Sequence, residues 1–221
     1  MTDAGNMRTH GRFIAFEGGE GAGKSTQARL LAEALRARGL EVVLTREPGG
    51  TPGAEAIRAL LLNTDGDGWG PRAEALLFAA ARADHVETLI RPALARGAWV
   101  ISDRFVDSSR AYQGGGYAEG GLSDGDILAL HRIGSGGLLP DLTLLLDAPA
   151  SVVAARLARR DGGESDRIGG RDAEYHARVG AAFASMADAE PHRFARISTA
   201  ADVASVHAAV IAAIAPLLAG A

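Results

Sequence analysis

From Phe13 onward, short apolar runs alternate with longer amphipathic stretches. Phe13–Phe16 (FIAF), Glu41–Thr45 (EVVLT), Ala98–Ser102 (AWVIS), Leu142–Leu146 (LTLLL) and Phe194–Ser198 read as strands. Thr26–Arg38 reads as a helix, with Leu30, Leu31, Ala34 and Leu35 on one face and Gly39 as its stop. Thr51 and Pro52 form an N-cap and first-turn pair that opens a helix through Leu62. Further helices are expected over Arg72–Ala95, with a bend near Arg91-Pro92, and over Ser123–Ile133, Ser151–Arg159, Ala173–Met186 and Asp202–Leu218. Asn63–Pro71 is a surface loop, and Arg160–Arg171 is polar, Gly-rich and charged.

Strands separated by helices of crossover length predict an α/β fold in three layers, a parallel sheet of five strands covered by helices on both faces. No internal repeat or long linker divides the chain. A single domain over residues 1–221 is expected, with 1–11 as a disordered tail and 160–171 as a short lid loop.

The chemistry begins where the first strand ends. Gly18-Gly19-Glu20-Gly21-Ala22-Gly23-Lys24-Ser25 fits G-x-x-x-x-G-K-[ST], the phosphate-binding P-loop, without a mismatch. Backbone N–H groups in such a loop turn inward onto phosphate oxygens, and the next helix aims its N-terminus at the same anion. Lys24, the only lysine in the chain, is expected to reach the β- and γ-phosphates, and Ser25 to ligate Mg²⁺. Strand, loop and helix follow in the required order, so Gly18–Thr26 is a nucleotide-phosphate site and the fold is of the P-loop NTPase kind.

Composition narrows the class. With 221 residues, 47% hydrophobic and 23% charged, the chain suits one globular domain with a substantial core. A formal charge of −4 argues against a general nucleic-acid binder. The lack of cysteine removes disulfides, thiolate nucleophiles and Cys-based zinc sites together. No apolar run approaches the length of a membrane span and residues 1–12 hold no signal-like apolar segment, so a cytoplasmic protein without membrane contact is expected.

Other candidates lie at strand ends and along helix faces. Asp103 and Asp147 each end a strand and compete for the place beside Mg²⁺. Asp103 is favoured because Arg104, a phosphate-side base, follows it; Asp147 precedes a turn and fits a helix start. Phe78 and Arg82 share a helix face and suit a nucleobase sandwich, though a plain core Phe and a solvated Arg have the same spacing. Ser108 with Tyr112, and Ser109 with Gln113, repeat that spacing and face either a substrate or solvent. Arg156, Arg159, Arg160, Arg167 and Arg171 flank or occupy the lid, as charge-stabilising groups or as a solvated run.

Taken together, FEGGEGAGKST at Phe16–Thr26, TREPGGT at Thr45–Thr51, AEAIRALLL at Ala54–Leu62 and EALLFAAAR at Glu74–Arg82 resemble the thymidylate kinases of bacterial type. DRFVDSSRAYQGGG at Asp103–Gly116, PDLTLLLDAP at Pro140–Pro149 and DRIG at Asp166–Gly169 extend the likeness over almost the whole chain. The resemblance implies Mg²⁺-dependent phosphorylation of dTMP by ATP in a homodimer. It implies that Phe78 stacks on thymine and Arg82 bonds a thymine carbonyl, while Ser109 and Gln113 line the base site, Ser108 lies on the substrate side and Tyr112 crowds the ribose 2′ position. Arg58 and Arg104 would hold the monophosphate, with Glu20, Glu47 and Pro48 also on the substrate side. Lys24, Asp103, Arg104 and a lid arginine, best matched by Arg160 with Arg159 and Arg167 as alternatives, would act in transfer. A kinase for another deoxynucleoside or nucleoside monophosphate is the alternative. A guanine-reading N-K-x-D motif is impossible with one lysine, and no coupling motif of an ATP-driven motor is present.

Overall fold

The computed structural model describes residues 11–63, 68–117, 119–148 and 168–219. Five parallel strands lie in the order β2-β3-β1-β4-β5: β1 Phe13–Glu17, β2 Val42–Arg46, β3 Trp99–Asp103, β4 Leu142–Asp147 and β5 Phe194–Ser198. Each expected strand is present within a residue or two of its expected bounds. Every residue of β1 is buried, as befits a central strand covered on both faces. The described helices are α1 Lys24–Arg36, α2 Pro52–Leu62, α3 Pro71–His85, α4 Arg91–Ala95, α5 Val106–Ser109, α6 Asp124–Ser135, α7 Ala173–Ala189 and α8 Val203–Ala219. The helix expected over 151–159 and most of the lid loop lie outside the described residues.

Alternation along β1 divides the core. Ile14 and Phe16 point into a layer formed by Leu31 and Leu35 of α1, Trp99, Ile101 and Val206, Val210 and Ile214 of α8. Phe13 and Ala15 face the opposite layer, with Val86, Ile90, Val100, Phe105 and Val106. Beside it Tyr112 packs with Tyr175, Val179 and Phe183 of α7. The fold is thus the three-layer α/β arrangement that the apolar pattern predicts.

The expected bend at Arg91-Pro92 takes another form. A single π-helical turn, Val86–Ile90, joins α3 to α4, and the Arg91 N–H bonds back to Val86. The wider turn comes just before Pro92, where the missing N–H and the ring conflict with an α-helical turn. A second π-helical turn, Arg110–Gly115, continues α5. This segment is tied to the sheet edge by Arg193, which donates bidentately to Asp107 at 2.6 and 3.0 Å.

Because β1 sends its chain first toward β2 and later elements return on the β4 side, a crevice opens at the carboxyl ends of β1 and β3. Both phosphate loop and strand-end acid sit there. Among the described residues no helix is long and apolar enough to cross a membrane.

Candidate active site

The P-loop leaves β1 at Gly18, where φ is 136° and a Cβ would lie 2.4 Å from the Leu146 carbonyl oxygen, so only glycine fits. Lys24 opens α1, and its buried Nζ donates to the carbonyls of Gly18 at 3.0 Å and Gly19 at 2.7 Å. These bonds hold the ammonium across the loop mouth. Burial first, and the charge of Arg104 second, push Lys24 down to about 8. Phosphate oxygens in the loop favour its charged form.

Ser25 Oγ donates to Asp103 Oδ2 at 2.5 Å. Asp103 is therefore the strand-end acid at the loop. Asp147 ends β4, on the far side of β1 from β3, is exposed, and its carbonyl accepts the Thr199 N–H at 2.8 Å. A hydroxyl and a carboxylate side by side are hard oxygen donors of the kind Mg²⁺ takes, and Mg²⁺ completes its shell with waters and phosphate oxygens. Among the described residues no cluster of three or more His, Cys, Asp or Glu could hold a metal unaided.

Arg104 has the only positive φ of a described non-glycine residue, 72°. This turn aims its guanidinium back over the P-loop. It donates to Gly18 O at 3.2 Å, Glu20 Oε1 at 2.5 Å, Ser108 Oγ at 3.0 Å and Tyr112 OH at 3.1 Å. The turn is held by Glu17, a residue not among the candidates named from sequence. Its Oε1 accepts the N–H groups of Phe105 at 2.8 Å and Ser108 at 3.0 Å, and its Oε2 accepts Ser108 Oγ at 2.6 Å. Complete burial, followed by the neighbouring charge of Asp107, pushes Glu17 up to about 7.

A cavity of about 310 Å³ adjoins this corner, lined among others by Pro48, Arg58, Phe78, Tyr112, Gln113 and Ile168. Arg58 Nη1 donates to Pro48 O at 2.8 Å, fixing its guanidinium at the rim. Arg82 and Ser109 lie one layer deeper, each 3% exposed. Arg82 donates to Glu47 Oε2 at 2.7 Å, Ser109 Oγ at 2.8 Å and Phe105 O at 3.3 Å. Glu47 stays below the usual carboxylate range despite its burial, because Arg82 and His85 face it. The glycine run after Gln113 lets this segment approach α7: a Cβ on Gly116 would sit 2.5 Å from the Tyr175 ring.

Of the candidates named from sequence, Glu20, Glu47, Pro48, Arg58, Phe78, Arg104, Ser108, Tyr112 and Gln113 line the smaller cavity, while Arg82 and Ser109 line neither cavity. Arg46 and Leu62 also line this smaller cavity, and Thr199, Val203 and Val206 line the P-loop side; none of these was singled out. The usable signal for Thr199 was its place after the last strand, since ligands gather at the carboxyl ends of parallel strands. Arg156, Arg159, Arg160 and Arg167 lie outside the described residues. Arg171 is described and turns onto Glu74 at 2.6 Å.

On the other side of the shared corner a cavity of about 440 Å³ runs along the P-loop from Glu20 to Gln27. Glu20, Ser25, Asp103 and Arg104 line both cavities. A phosphate donor lying on the P-loop and an acceptor in the smaller cavity would meet over these four side chains, which places the molecule among the P-loop phosphotransferases. The thymidylate kinase family model matches residues 16–210. The chain is 57% identical over 208 residues to a thymidylate kinase of Rhizorhabdus wittichii, covering 94% of this chain and 99% of that one. With a thymidylate kinase of Caulobacter vibrioides the identity is 51% over 203 residues, or 91% and 95% of the two chains. A solved thymidylate kinase from Ehrlichia chaffeensis superposes with a TM-score of 0.74 at 35% identity, covering 92% and 98%. The chain belongs to the thymidylate kinase family.

Proposed function

We propose that ATP lies along the P-loop, that dTMP fills the smaller cavity, and that the γ-phosphoryl group passes between them over Glu20, Ser25, Asp103 and Arg104. The reaction, ATP-dependent phosphorylation of dTMP to dTDP, is that of the family to which the chain belongs. The observation that carries the placement is the set of four side chains common to both cavities. The acceptor is already an anionic phosphate oxygen, so transfer requires positioning and charge neutralisation rather than a strong base.

In this reading Lys24 and the backbone of Gly18–Thr26 hold the donor phosphates. Ser25 and Asp103 hold Mg²⁺, which neutralises charge on the phosphate oxygens when bound. Arg104 and Arg58 grip the acceptor phosphate, and Glu20 restrains Arg104 from the P-loop side. Phe78 supplies a face for thymine, Gln113 a polar group at its edge, and Arg82 with Ser109 a donor floor held by Glu47, with Pro48 and Ser108 closing the wall. Tyr112, whose ring lies 4.9 Å beneath the Arg104 guanidinium carbon, occupies the space a ribose 2′-hydroxyl needs. The transition-state arginine is assigned to the lid, with Arg160 first and Arg159 and Arg167 as alternatives.

We assign the single domain 1–221 to a homodimer. Leu60, Leu76 and Ile133 are 51%, 56% and 82% exposed on α2, α3 and α6, helices that pack side by side. Glutamate at Leu76 and Ile133 should then give a monomer by light scattering; an unchanged mass would move the interface elsewhere. The cysteine-free sequence suits a cytoplasmic setting.

The test is ADP release with ATP and Mg²⁺ against dTMP, dUMP, UMP, AMP, GMP, CMP and thymidine. A strong preference for dTMP, with dUMP weaker and ribonucleotides poor, is expected. Turnover of thymidine but not dTMP would overturn the acceptor assignment while keeping the P-loop site.

A further inference from the structure

Glu74 is a fully buried carboxylate in the first turn of α3, outside the lining of both cavities. Its Oε1 accepts Gln113 Nε2 at 2.9 Å and the Tyr117 hydroxyl at 3.4 Å, and its Oε2 accepts Arg171 Nη2 at 2.6 Å. Arg171 lies over the rings of Tyr117 and Tyr175, at 4.9 and 4.5 Å from their centres, and donates to Tyr175 OH. The carboxylate is therefore paired and its geometry braced from two sides. Gln113, itself 1% exposed, lines the acceptor cavity.

A carboxamide has two ends of nearly equal shape and opposite hydrogen-bonding character. Whichever end meets the cavity decides whether a base edge bearing N–H or a bare ring nitrogen is accepted there. An ionised carboxylate only accepts. Ion-paired Glu74 thus takes the NH₂ end of Gln113 and leaves the oxygen as the end available to the cavity.

We infer that Glu74 is a specificity-determining positioning residue: by fixing the Gln113 carboxamide, it selects pyrimidines that carry N3–H over those whose N3 is an acceptor. Thymine and uracil have that proton; cytosine does not. The inference rests on the placement of the base beside Gln113 proposed above.

The experiment measures kcat/KM for dTMP, dUMP and dCMP with the full chain as wild type, Glu74→Gln and Gln113→Ala. In Glu74→Gln a neutral amide donates as readily as it accepts, so Gln113 can turn over. The dTMP-to-dCMP preference should fall roughly tenfold, the scale of one misplaced hydrogen bond. The dTMP-to-dUMP ratio and the KM for ATP should hold. A purely structural role lowers all three substrates in proportion, and an unchanged dTMP-to-dCMP ratio overturns the inference. Gln113→Ala separates the two levels. If it loses the preference while Glu74→Gln keeps it, the base site stands and only the positioning role fails. If both keep it, the base site falls as well. Should Glu74→Gln fail to fold, Glu74→Met removes both acceptor oxygens at similar length, and Arg171, 18% exposed, can turn to water. The same fall is expected there.

Discussion

The phosphate side of the cleft draws its groups from the ends of two neighbouring strands, whereas the base side collects Glu47, Phe78, Gln113 and Ile168 from four separate parts of the chain. At the phosphate end, the P-loop from Glu20 to Gln27 lines the cavity, and among the described residues Lys24 donates to the carbonyls of its own loop. At the base end, each polar side chain is held by another: Arg82 by Glu47, Glu47 by His85, Gln113 by Glu74, Glu74 by Arg171. A site made of backbone tolerates the loss of one side chain without unfolding. A site made of buried charge pairs does not separate recognition from stability.

The largest expected effect tests the first half of that contrast. Lys24→Ala should lower kcat by about 10³-fold or more while the thermal unfolding midpoint stays within a few degrees. Near-normal turnover would sink the P-loop assignment, and a collapsed midpoint would erase the contrast. Next, Arg82→Ala strips the buried Glu47 carboxylate of its cation. It should cost about 3–5 kcal/mol in denaturant unfolding and depress dTMP use far more than ATP binding. Equal losses in KM for both substrates would mean that the base pocket lies elsewhere.

Phe78→Ala should act more gently, because Phe78 is only partly buried and supports no charge pair. Removal of a stacking face is worth about 1–3 kcal/mol, so the KM for dTMP should rise roughly tenfold or more with kcat little changed. Steady-state titration of dTMP at saturating ATP reads this directly; a fall in kcat alone would contradict stacking. Glu17→Gln should change turnover least, by less than about threefold, since glutamine still accepts the Phe105 and Ser108 N–H groups.

The consequence of Glu17→Gln lies in pH. Burial pushes Glu17 up from its ordinary 4.5 to about 7 in the folded chain, which therefore binds more protons than the unfolded chain between those values. Its contribution to stability is fully present below about 4.5 and is lost as pH rises through about 7. Glu17→Gln should flatten the dependence of unfolding free energy on pH across that window. An unaltered slope would remove the ionisation of Glu17 from the account and leave its hydrogen bonds as its whole role.

Legibility followed the same division. Phe13–Phe16 could be read as a strand because a central parallel strand is apolar throughout, and the P-loop because its groups are contiguous. The acid beside Ser25 was legible too: Arg104 follows Asp103 directly, and a turn toward a helix start follows Asp147. The π-helical turn before Pro92 was not legible, for the register of those hydrogen bonds answers to packing around the proline ring. The role of Glu17 was not legible, since nothing local announces that the Phe105 and Ser108 N–H groups converge on it from 88 and 91 residues away.

By itself the chain determined the parallel α/β fold, the donor-phosphate loop and the family, because each rests on residues adjacent in sequence or on a periodic apolar pattern. Only the tertiary structure decided which carboxylates became partners rather than ligands. Glu74 and Gln113 lie 39 positions apart, and Glu74 and Arg171 lie 97. Whether a buried charge meets a cation, an amide or a substrate depends on what the fold brings against it, since in a low-dielectric interior only a partner within a few ångströms offsets the loss of water.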